Sequence, residues 1–363
     1  MSNTKDSLRL QPYAHFVILL IGIGFLLYIG ASLIIPLIFA ILLAVFLFPI
    51  NTFVSKYVPW KSVSIILSYL IFFVPLLLIA TFFSFQLITI AESLPKIGEN
   101  LQSGFNLLVQ RANKLIPIID LNSTNIIGDV NKDDLKEPLL FIGQGLISTT
   151  AILTGAGLTL LYSFFFLFYS KSFNNFIVYQ FEKSERSEIK DTLVEMKKSI
   201  QSYVTGLGLV VIILSVMNSI GLSIIGIDYA IFWGCLAGML SIIPYVGTMV
   251  GGLLPFIFAL STADANWQPI AVLIYYLMIQ QVEGNFITPK IVGDKVDINP
   301  FFAILAIVFL GSFWGVAGII LALPIISILR ILLSNFESTL PYSILMSSGI
   351  REKKGIFKKM ADD

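Results

Sequence analysis

The sequence is poor in charged residues, histidine and cysteine, and each shortage excludes a class of protein. Only 12% of its 363 residues are charged, about half of the roughly 25% found in ordinary soluble domains. The single His15 excludes the histidine pairs of zinc enzymes, and the single Cys235 excludes an intramolecular disulfide and a cysteine cage for a metal. We therefore expect neither a water-soluble fold nor a metal site.

Basic runs and nucleotide-binding motifs are missing as well. The formal net charge is +1, and no basic run lies outside the last fourteen residues, which argues against nucleic-acid binding. No G-x-x-x-x-G-K motif occurs, so any pumping would be driven by a gradient and not by ATP. The apolar segments also lack the Ser–His or paired-Asp arrangement of an intramembrane hydrolase. The sequence thus predicts no cofactor and no enzymatic activity.

What the chain does have is long apolar runs, since 56% of its residues are hydrophobic. About 20 apolar residues suffice to cross a bilayer as a helix. We therefore predict an all-α integral membrane protein with about eight membrane segments, forming a single transporter domain over residues 1–363. The runs without Asp, Glu, Lys or Arg cover residues 10–55, 62–91, 138–170, 199–227, 229–263, 265–282 and 298–329.

Three polar stretches separate or follow these runs. Residues 92–137 are predicted to be an extracytoplasmic insertion with an amphipathic helix at 94–116. Residues 171–200 are predicted to be cytoplasmic, with a second amphipathic helix at 173–200, and residues 331–363 form a basic cytoplasmic tail. Because the second helix carries an apolar stripe, it needs a partner helix from the same chain or from a neighbouring copy. The stripe consists of Ile189, Leu193, Met196, Ile200 and Tyr203.

The distribution of basic residues predicts the orientation of the chain. If both termini lie in the cytoplasm, sixteen of the 23 Lys and Arg residues lie in cytoplasmic segments. The outer loop 92–137 then holds five, offset by seven acidic residues. Positive residues favour the cytoplasmic side, so we predict a multi-pass protein of a bacterial inner membrane with both termini inside.

Two apolar runs, 229–263 and 298–329, are too long for simple spans. As straight helices they would measure about 52 and 48 Å, against roughly 30 Å of hydrocarbon. As two spans each they give eight crossings, whereas as re-entrant hairpins they leave six, which the positive-inside rule favours. Broken helices at membrane depth are typical of secondary transporters. The predicted breaks or hairpin tips are Pro244 and Gly247 in the first run, and Gly311, Gly315 and Gly318 in the second.

A polar stretch between these two runs is the candidate substrate or ion path. Tyr276, Gln280 and Glu283 share one helical face at spacings of four and three. An acid near membrane depth indicates a functional site, although Glu283 can also end a helix at the interface and pair with Lys290. The predicted path consists of Gln280, Gln281, Glu283, Asn285, Thr288 and Pro289, together with Tyr245.

The combination of these motifs resembles the autoinducer-2 exporter family of bacterial membrane proteins. The likeness rests on Ile242–Gly247, on Glu283–Asn285 through Gly293, on Asn299-Pro300, and on the cluster from Gly311 to Gly318 with Pro324. It implies an inner-membrane exporter that assembles as a homo-oligomer, with five copies in similar proteins, and that moves by an elevator-like displacement. Where many relatives carry a Gly-Gly pair, this chain has Gly311 followed by Ser312.

The substrate stays open at this level, between a small polar metabolite and a monovalent cation. A neutral polyhydroxylated ligand needs amides, hydroxyls and aromatic faces, which the predicted path contains. A sodium or lithium/proton antiporter needs a titrating acid, for which Glu283 is the candidate. The sequence favours metabolite export, because Glu283 lies at the end of an apolar run and not deep within one. A third alternative is a membrane scaffold that transports nothing and contacts lipids and partner helices alone.

Overall fold

The computed structural model describes residues 18–19, 21–115, 149–243, 246–262, 267–288, 290–291, 297–336 and 338–348, with backbone only for residues 91–115, 149–151 and 246. In the described part the secondary structure is helical, with no strand. The protein is therefore an all-α membrane protein, as predicted. The predicted outer loop beyond residue 115, the basic tail after residue 348, Pro244, Tyr245 and Pro289 lie outside the described residues.

The N-terminal region forms three helices. Helix α1 covers residues 21–29 and ends at a turn at Gly30, which separates it from the next helix. Helix α2 covers Ala31–Val54, and helix α3 covers Lys61–Leu115. Helix α3 joins the predicted third span and the first predicted amphipathic helix without a break, since its 55 residues are continuous.

The middle of the chain contains a sharp bend. Helix α4, Thr149–Phe168, and helix α5, Ser170–Tyr179, meet at Tyr169 with an angle of 71° between them. Helix α6, Arg186–Ile225, then continues for 40 residues. It joins residues 186–200 of the second predicted amphipathic helix to the following apolar run without a break, whereas the turn at residues 180–185 divides the helix predicted at 173–200 into two parts.

The C-terminal half consists of shorter and broken helices. Its elements are α7, Ala230–Leu240, α8, Val246–Thr262, α9, Gln268–Val282, a π-helix at Glu283–Ile287, α10, Pro300–Ser334, and α11, Leu340–Met346.

Five helices of the described part are long and apolar enough to cross a membrane, and the bent pair α4–α5 would make a sixth. The five cover Ala31–Val54, Lys61–Ile90, Arg186–Ile225, Gln268–Ile287 and Pro300–Ser334. On the second of these, Leu78 and Phe85 are 66% and 73% exposed. Apolar side chains exposed on this scale along a membrane-length helix are suited to lipid and not to water. Together these helices make a multi-pass membrane protein.

The chain reverses between α7 and α8, so these two helices form a hairpin. A Cβ added at Gly251 would lie 2.8 Å from the Cα of Ala237, and one added at Gly247 would collide with the carbonyl group of Leu240. A straight helix would separate Ala237 and Gly251 by about 21 Å. Glycine is required at these two positions because the backbones of the two helices approach where a side chain would stand. The break predicted in residues 229–263 is confirmed.

Helix α10 contains a second reversal, at Gly315. This residue has φ 57° and ψ −138°, inside what is otherwise helix, and only glycine adopts such a conformation readily. A Cβ added at Gly318 would collide with the carbonyl oxygen of Leu310, which shows that the segments before and after Gly315 lie side by side. The indole Nε1 of Trp314 donates a 3.0 Å hydrogen bond to the carbonyl oxygen of Leu27 in α1.

The described chain divides into two compact units. The first combines residues up to Phe48 with Ile152–Ile200 and the segment from Ile298 onward, and the second combines Pro49–Ala151 with Gln201–Asp297. The boundaries fall inside α2, α4 and α6, and just before α10. In the first unit α6 lies against the C-terminal end of α10, because Thr192 Oγ1 donates to Asn335 Oδ1 at 2.9 Å and the hydroxyls of Ser199 and Ser327 are 3.0 Å apart.

The second unit holds an apolar core around the α7–α8 hairpin. Trp233 of α7 packs against Phe258 of α8 with ring centroids 5.2 Å apart, and the neighbouring ring of Phe232 lies 5.0 Å from that of Trp233. Phe83 of α3 packs against Phe232 at 5.1 Å. Buried aliphatic residues from α6 and α9 complete this core, so the three helices α3, α6 and α9 hold the hairpin in place.

Candidate functional site

The candidate site is a narrow cleft in the second unit, and four helices contribute to its wall. Its lining residues are Leu214 and Asn218 of α6, Ala237 of α7, Thr248 of α8, and Tyr276, Ile279, Gln280 and Glu283 at the end of α9. In this conformation the cleft has room for about one water molecule.

Glycines and hydrogen bonds fix α6 against both of its neighbours beside the cleft. Gly234 and Gly238 of α7 lie against the backbone nitrogens of Ser219 and Ser215, so this G-x-x-x-G pair allows the backbones of α6 and α7 to approach closely. On the other side, Gln268 Nε2 donates at 3.1 Å to the carbonyl oxygens of Ile225 and Gly226 at the end of α6. Helices α7 and α9 are therefore attached to two different faces of α6, and this arrangement fixes the walls of the cleft.

Two tyrosines of α9 are fixed by glycines on neighbouring helices. The ring of Tyr275 occupies the space where a side chain at Gly221 of α6 would stand. The ring of Tyr276 lies against Gly252 of α8, where an added Cβ would be 2.9 Å from ring carbons. Each aromatic ring has only two side-chain torsions, so these contacts position both hydroxyl groups closely.

Two polar atoms at the cleft have no hydrogen-bond partner among the described residues. They are Asn218 Oδ1 and the hydroxyl oxygen of Tyr276. Asn218 is only 3% exposed. Buried polar groups normally have a partner, and leaving one without a partner costs about 1–3 kcal/mol. Two such groups on different helices at one cleft indicate a binding site more than a packing defect.

Glu283 lies where α9 changes into a π-helix. The backbone N–H of Thr288 donates to the carbonyl oxygen of Glu283, which is the five-residue spacing of a π-turn. Such turns are rare and occur often at functional sites. Glu283 makes no ion pair with Lys290 in the described part of the chain. The alternative in which these two residues pair at the membrane interface is therefore not supported. The helix also continues past Glu283 and does not end there.

The structure separates the predicted path residues into two groups. Gln280, Glu283 and Tyr276 line the cleft together, as their spacing on one helical face predicts. Gln281 and Asn285 are exposed, and Asn285 Nδ2 donates to Gln281 Oε1 at 3.1 Å, so this pair does not line the cleft. Thr288 is half-buried and is not among the lining residues either. Tyr245 and Pro289 lie outside the described residues.

Sequence reasoning missed Asn218 and Thr248. Asn218 is the one amide side chain in residues 203–226, and polar residues within membrane helices usually face the protein interior. That signal was available in the sequence. No comparable signal identifies Thr248, because it enters the cleft only through the reversal between α7 and α8.

Comparison with known proteins agrees with a transport function. The family model described as AI-2E family transporter matches residues 16–338. The chain is 23% identical over 349 residues to YueF of Bacillus subtilis (strain 168), which covers 92% of this chain and 88% of that protein. It is 29% identical to YrrI of the same organism over 154 residues, covering 42% of this chain and 43% of YrrI.

A shorter match, 25% identical over 130 residues, is to YhhT of Escherichia coli (strain K12), covering 36% of this chain and 37% of YhhT. All three relatives carry the name "Putative transport protein". The family match covers the helices of both units except α11, and it includes the α7–α8 hairpin, the cleft and the break in α10. The chain therefore belongs to the AI-2E transporter family and is a multi-pass membrane transporter.

Proposed function

We propose that this protein is a secondary transporter of a bacterial inner membrane that exports a small polar metabolite, such as autoinducer-2. The observation that carries the proposal is the cleft of the second unit. Polar side chains from α6, α8 and α9 meet there, and α6 and α9 belong to segments long enough to cross a membrane. A transporter needs hydrogen-bonding groups at such a place, because the solute leaves its hydration shell when it enters. Gln280, Glu283 and Tyr276 supply them from α9.

The two chain reversals support the same proposal. Helix α7 is about 16 Å long, and the segment of α10 before Gly315 is about 22 Å long, both shorter than the roughly 30 Å hydrocarbon layer. Helices of this length suit hairpins that enter and leave the membrane from one side. Irregular backbone at membrane depth is tolerated where protein buries it or where it lines a watery cavity. We accordingly include re-entrance of both hairpins in the proposal.

The proposal places the Gln281–Asn285 pair beside the path and not in it. The homo-oligomeric assembly, with five copies, and the elevator-like displacement rest on the family likeness and stay predictions. Two cytoplasmic termini likewise stay a prediction from the positive-inside rule.

The test uses purified protein in sealed liposomes loaded with autoinducer-2. We expect release of the solute above the rate of protein-free liposomes. Gln280→Leu should lower that rate, because it removes hydrogen-bonding groups from the cleft, whereas Gln281→Leu should change it little. One lost hydrogen bond corresponds to about a 2- to 12-fold weaker interaction. Equal effects of the two substitutions would contradict the placement of the path.

Two other results would replace the proposal. Movement of protons driven by a sodium gradient, without release of the metabolite, would identify a cation/proton antiporter. If the wild-type protein moves neither the metabolite nor protons, the remaining alternative is a membrane scaffold that transports nothing. A pH-sensitive dye inside the same liposomes measures the proton flux alongside the metabolite.

A further inference from the structure

We propose that Asn218 of α6 is a solute-binding residue of the cleft and sets its preference for ligands that donate hydrogen bonds. The inference deepens the proposed transport function and rests on it for the identity of the solute. It stands on the burial of Asn218, on the lack of a partner for its Oδ1 atom, and on its place opposite the polar end of α9.

The burial of Asn218 makes its free acceptor informative. The residue is 3% exposed, and its Oδ1 atom has no partner among the described residues. A carbonyl oxygen accepts hydrogen bonds and cannot donate them. A group that satisfies Oδ1 must therefore be a donor, such as a hydroxyl, an amine or a water molecule. A carboxylate or phosphate oxygen would instead be repelled by this oxygen.

The backbone that carries Asn218 is held by contacts on both sides of the residue. The preceding carbonyl, that of Met217, accepts a hydrogen bond from Tyr275. The residue after it, Ser219, is packed against Gly234 of α7. The backbone is thus fixed on both sides of Asn218, and its side chain points to the cleft that it lines.

The Tyr276 hydroxyl provides the complementary group. It lines the same cleft, and its oxygen also lacks a partner among the described residues. A phenol hydroxyl both donates and accepts. A solute hydroxyl placed between the two can therefore donate to Asn218 Oδ1 and accept from Tyr276. Asn218 and Tyr276 then recognise one solute hydroxyl from two helices.

The first measurement needs no solute. If Asn218 is kept for binding, its unsatisfied oxygen weakens the solute-free protein, so Asn218→Leu, of similar shape, should raise the thermal unfolding temperature in detergent. A purely structural asparagine would give the opposite result. Asn285→Leu is the control, because Asn285 is exposed and bonded to Gln281, and it should not raise the unfolding temperature. A lower unfolding temperature for Asn218→Leu would overturn the inference.

The second measurement compares Asn218→Ser with Asn218→Ala in liposomes loaded with autoinducer-2. These variants are nearly equal in size and differ by one oxygen atom. We expect Asn218→Ala to lower the transport rate at limiting solute by about 2- to 12-fold, and Asn218→Ser to retain more activity. Equal rates for the two variants and the wild type would overturn the inference even if Asn218→Leu is more stable.

The two measurements separate this inference from the proposed function. If the wild type moves no autoinducer-2 but Asn218→Leu is more stable, the proposed solute is wrong and the assignment of Asn218 is supported. If the wild type transports and neither variant of the Ser/Ala pair differs from it, the proposed function holds and the assignment of Asn218 fails.

Discussion

The hydroxyl of Tyr275 in α9 donates a 2.7 Å hydrogen bond to the carbonyl oxygen of Met217 in α6. Within an α-helix, that carbonyl would otherwise accept from the N–H of Gly221 alone, and the Tyr275 ring lies directly on Gly221. The Tyr275 side chain thus contacts α6 at two positions. Its hydroxyl bonds to the carbonyl oxygen of Met217, and its ring packs on Gly221, one turn later. This contact sets the distance between α6 and α9, and with it the width of the cleft.

Gly221→Ala should therefore destabilise the protein and lower transport. Its methyl group would collide with the Tyr275 ring, which is held by its hydrogen bond, and overpacking of this kind costs about 1–3 kcal/mol. The matched control is Gly208→Ala on the same helix, where an added Cβ meets nothing within 4 Å. That change should be neutral or stabilising, because alanine favours a helix over glycine by about 1 kcal/mol. Thermal unfolding in detergent compares the two, and equal unfolding temperatures would contradict the contact.

Gly315→Ala should destabilise the protein although space for a methyl group is available. An added Cβ at Gly315 meets nothing within 4 Å, so the cost arises from the backbone, whose φ of 57° and ψ of −138° are unfavourable for alanine by about 1–3 kcal/mol. Gly157→Ala in α4 is the control, because its surroundings are equally open and its backbone is helical. Equal unfolding temperatures of the two variants and the wild type would show that Gly315 does not adopt this left-handed backbone conformation.

Much of the fold follows from the sequence because the bilayer makes apolar runs decisive. The breaks near Gly247 and Gly315 were predictable, since glycine and proline act locally. The continuity of α3 from Lys61 to Leu115 was not, because a polar stretch that follows a span can either turn or extend the helix, and local preference does not decide between them.

The candidate site was predictable only on α9. Tyr276, Gln280 and Glu283 share a face by helical spacing alone. By contrast, Asn218 contributes through the packing of α6 against α7 and α9, which depends on glycines distant in sequence. The sequence likewise left open whether the α6 stripe has a partner in the same chain or in another copy. Beside the stripe, Thr192 and Ser199 hydrogen-bond to Asn335 and Ser327, so α10 of the same chain lies against that side of α6, and contact of the stripe with another copy stays a prediction.

Thr192→Val should weaken this contact between α6 and α10 without changing the oligomeric state. Thr192 is buried and donates to Asn335 Oδ1 at 2.9 Å. Valine keeps the shape but leaves that oxygen without its donor, at a cost of about 1–3 kcal/mol. We expect a lower unfolding temperature and an unchanged mass on native mass spectrometry. Thr205→Val, at an exposed position of α6, serves as the control. Dissociation of an oligomer by Thr192→Val alone would show that the stripe lies between copies.

Single cysteines test the orientation and the hairpins in a Cys235→Ala background. We expect Ser187→Cys, an exposed position at the start of α6, to react only with reagents that reach the cytoplasm. Asn125→Cys in the predicted outer loop should react with an impermeant reagent added to intact cells. Thr288→Cys should be reached from the cytoplasm if both broken segments are re-entrant. Reaction of Thr288→Cys from outside would favour eight crossings in place of six.

Glu283→Gln distinguishes a carboxylate that titrates from one that only accepts hydrogen bonds. The amide keeps the size of the side chain but cannot gain or lose a proton. If the protein exports a neutral metabolite, we expect a reduction of the transport rate of about 2- to 12-fold, because an acceptor is exchanged for a weaker one and the binding geometry is kept. If Glu283 couples transport to protons, sodium-driven proton movement should be abolished.

Gln281→Glu adds a carboxylate on the exposed face nearby and controls for a general effect of charge, since it lies outside the cleft and should leave metabolite release unchanged. Both fluxes are measured in the same sealed liposomes. Export is supported if Glu283→Gln loses metabolite release several-fold and the wild type shows no sodium-driven proton flux. Exchange is supported if the wild type shows that proton flux and Glu283→Gln loses it completely.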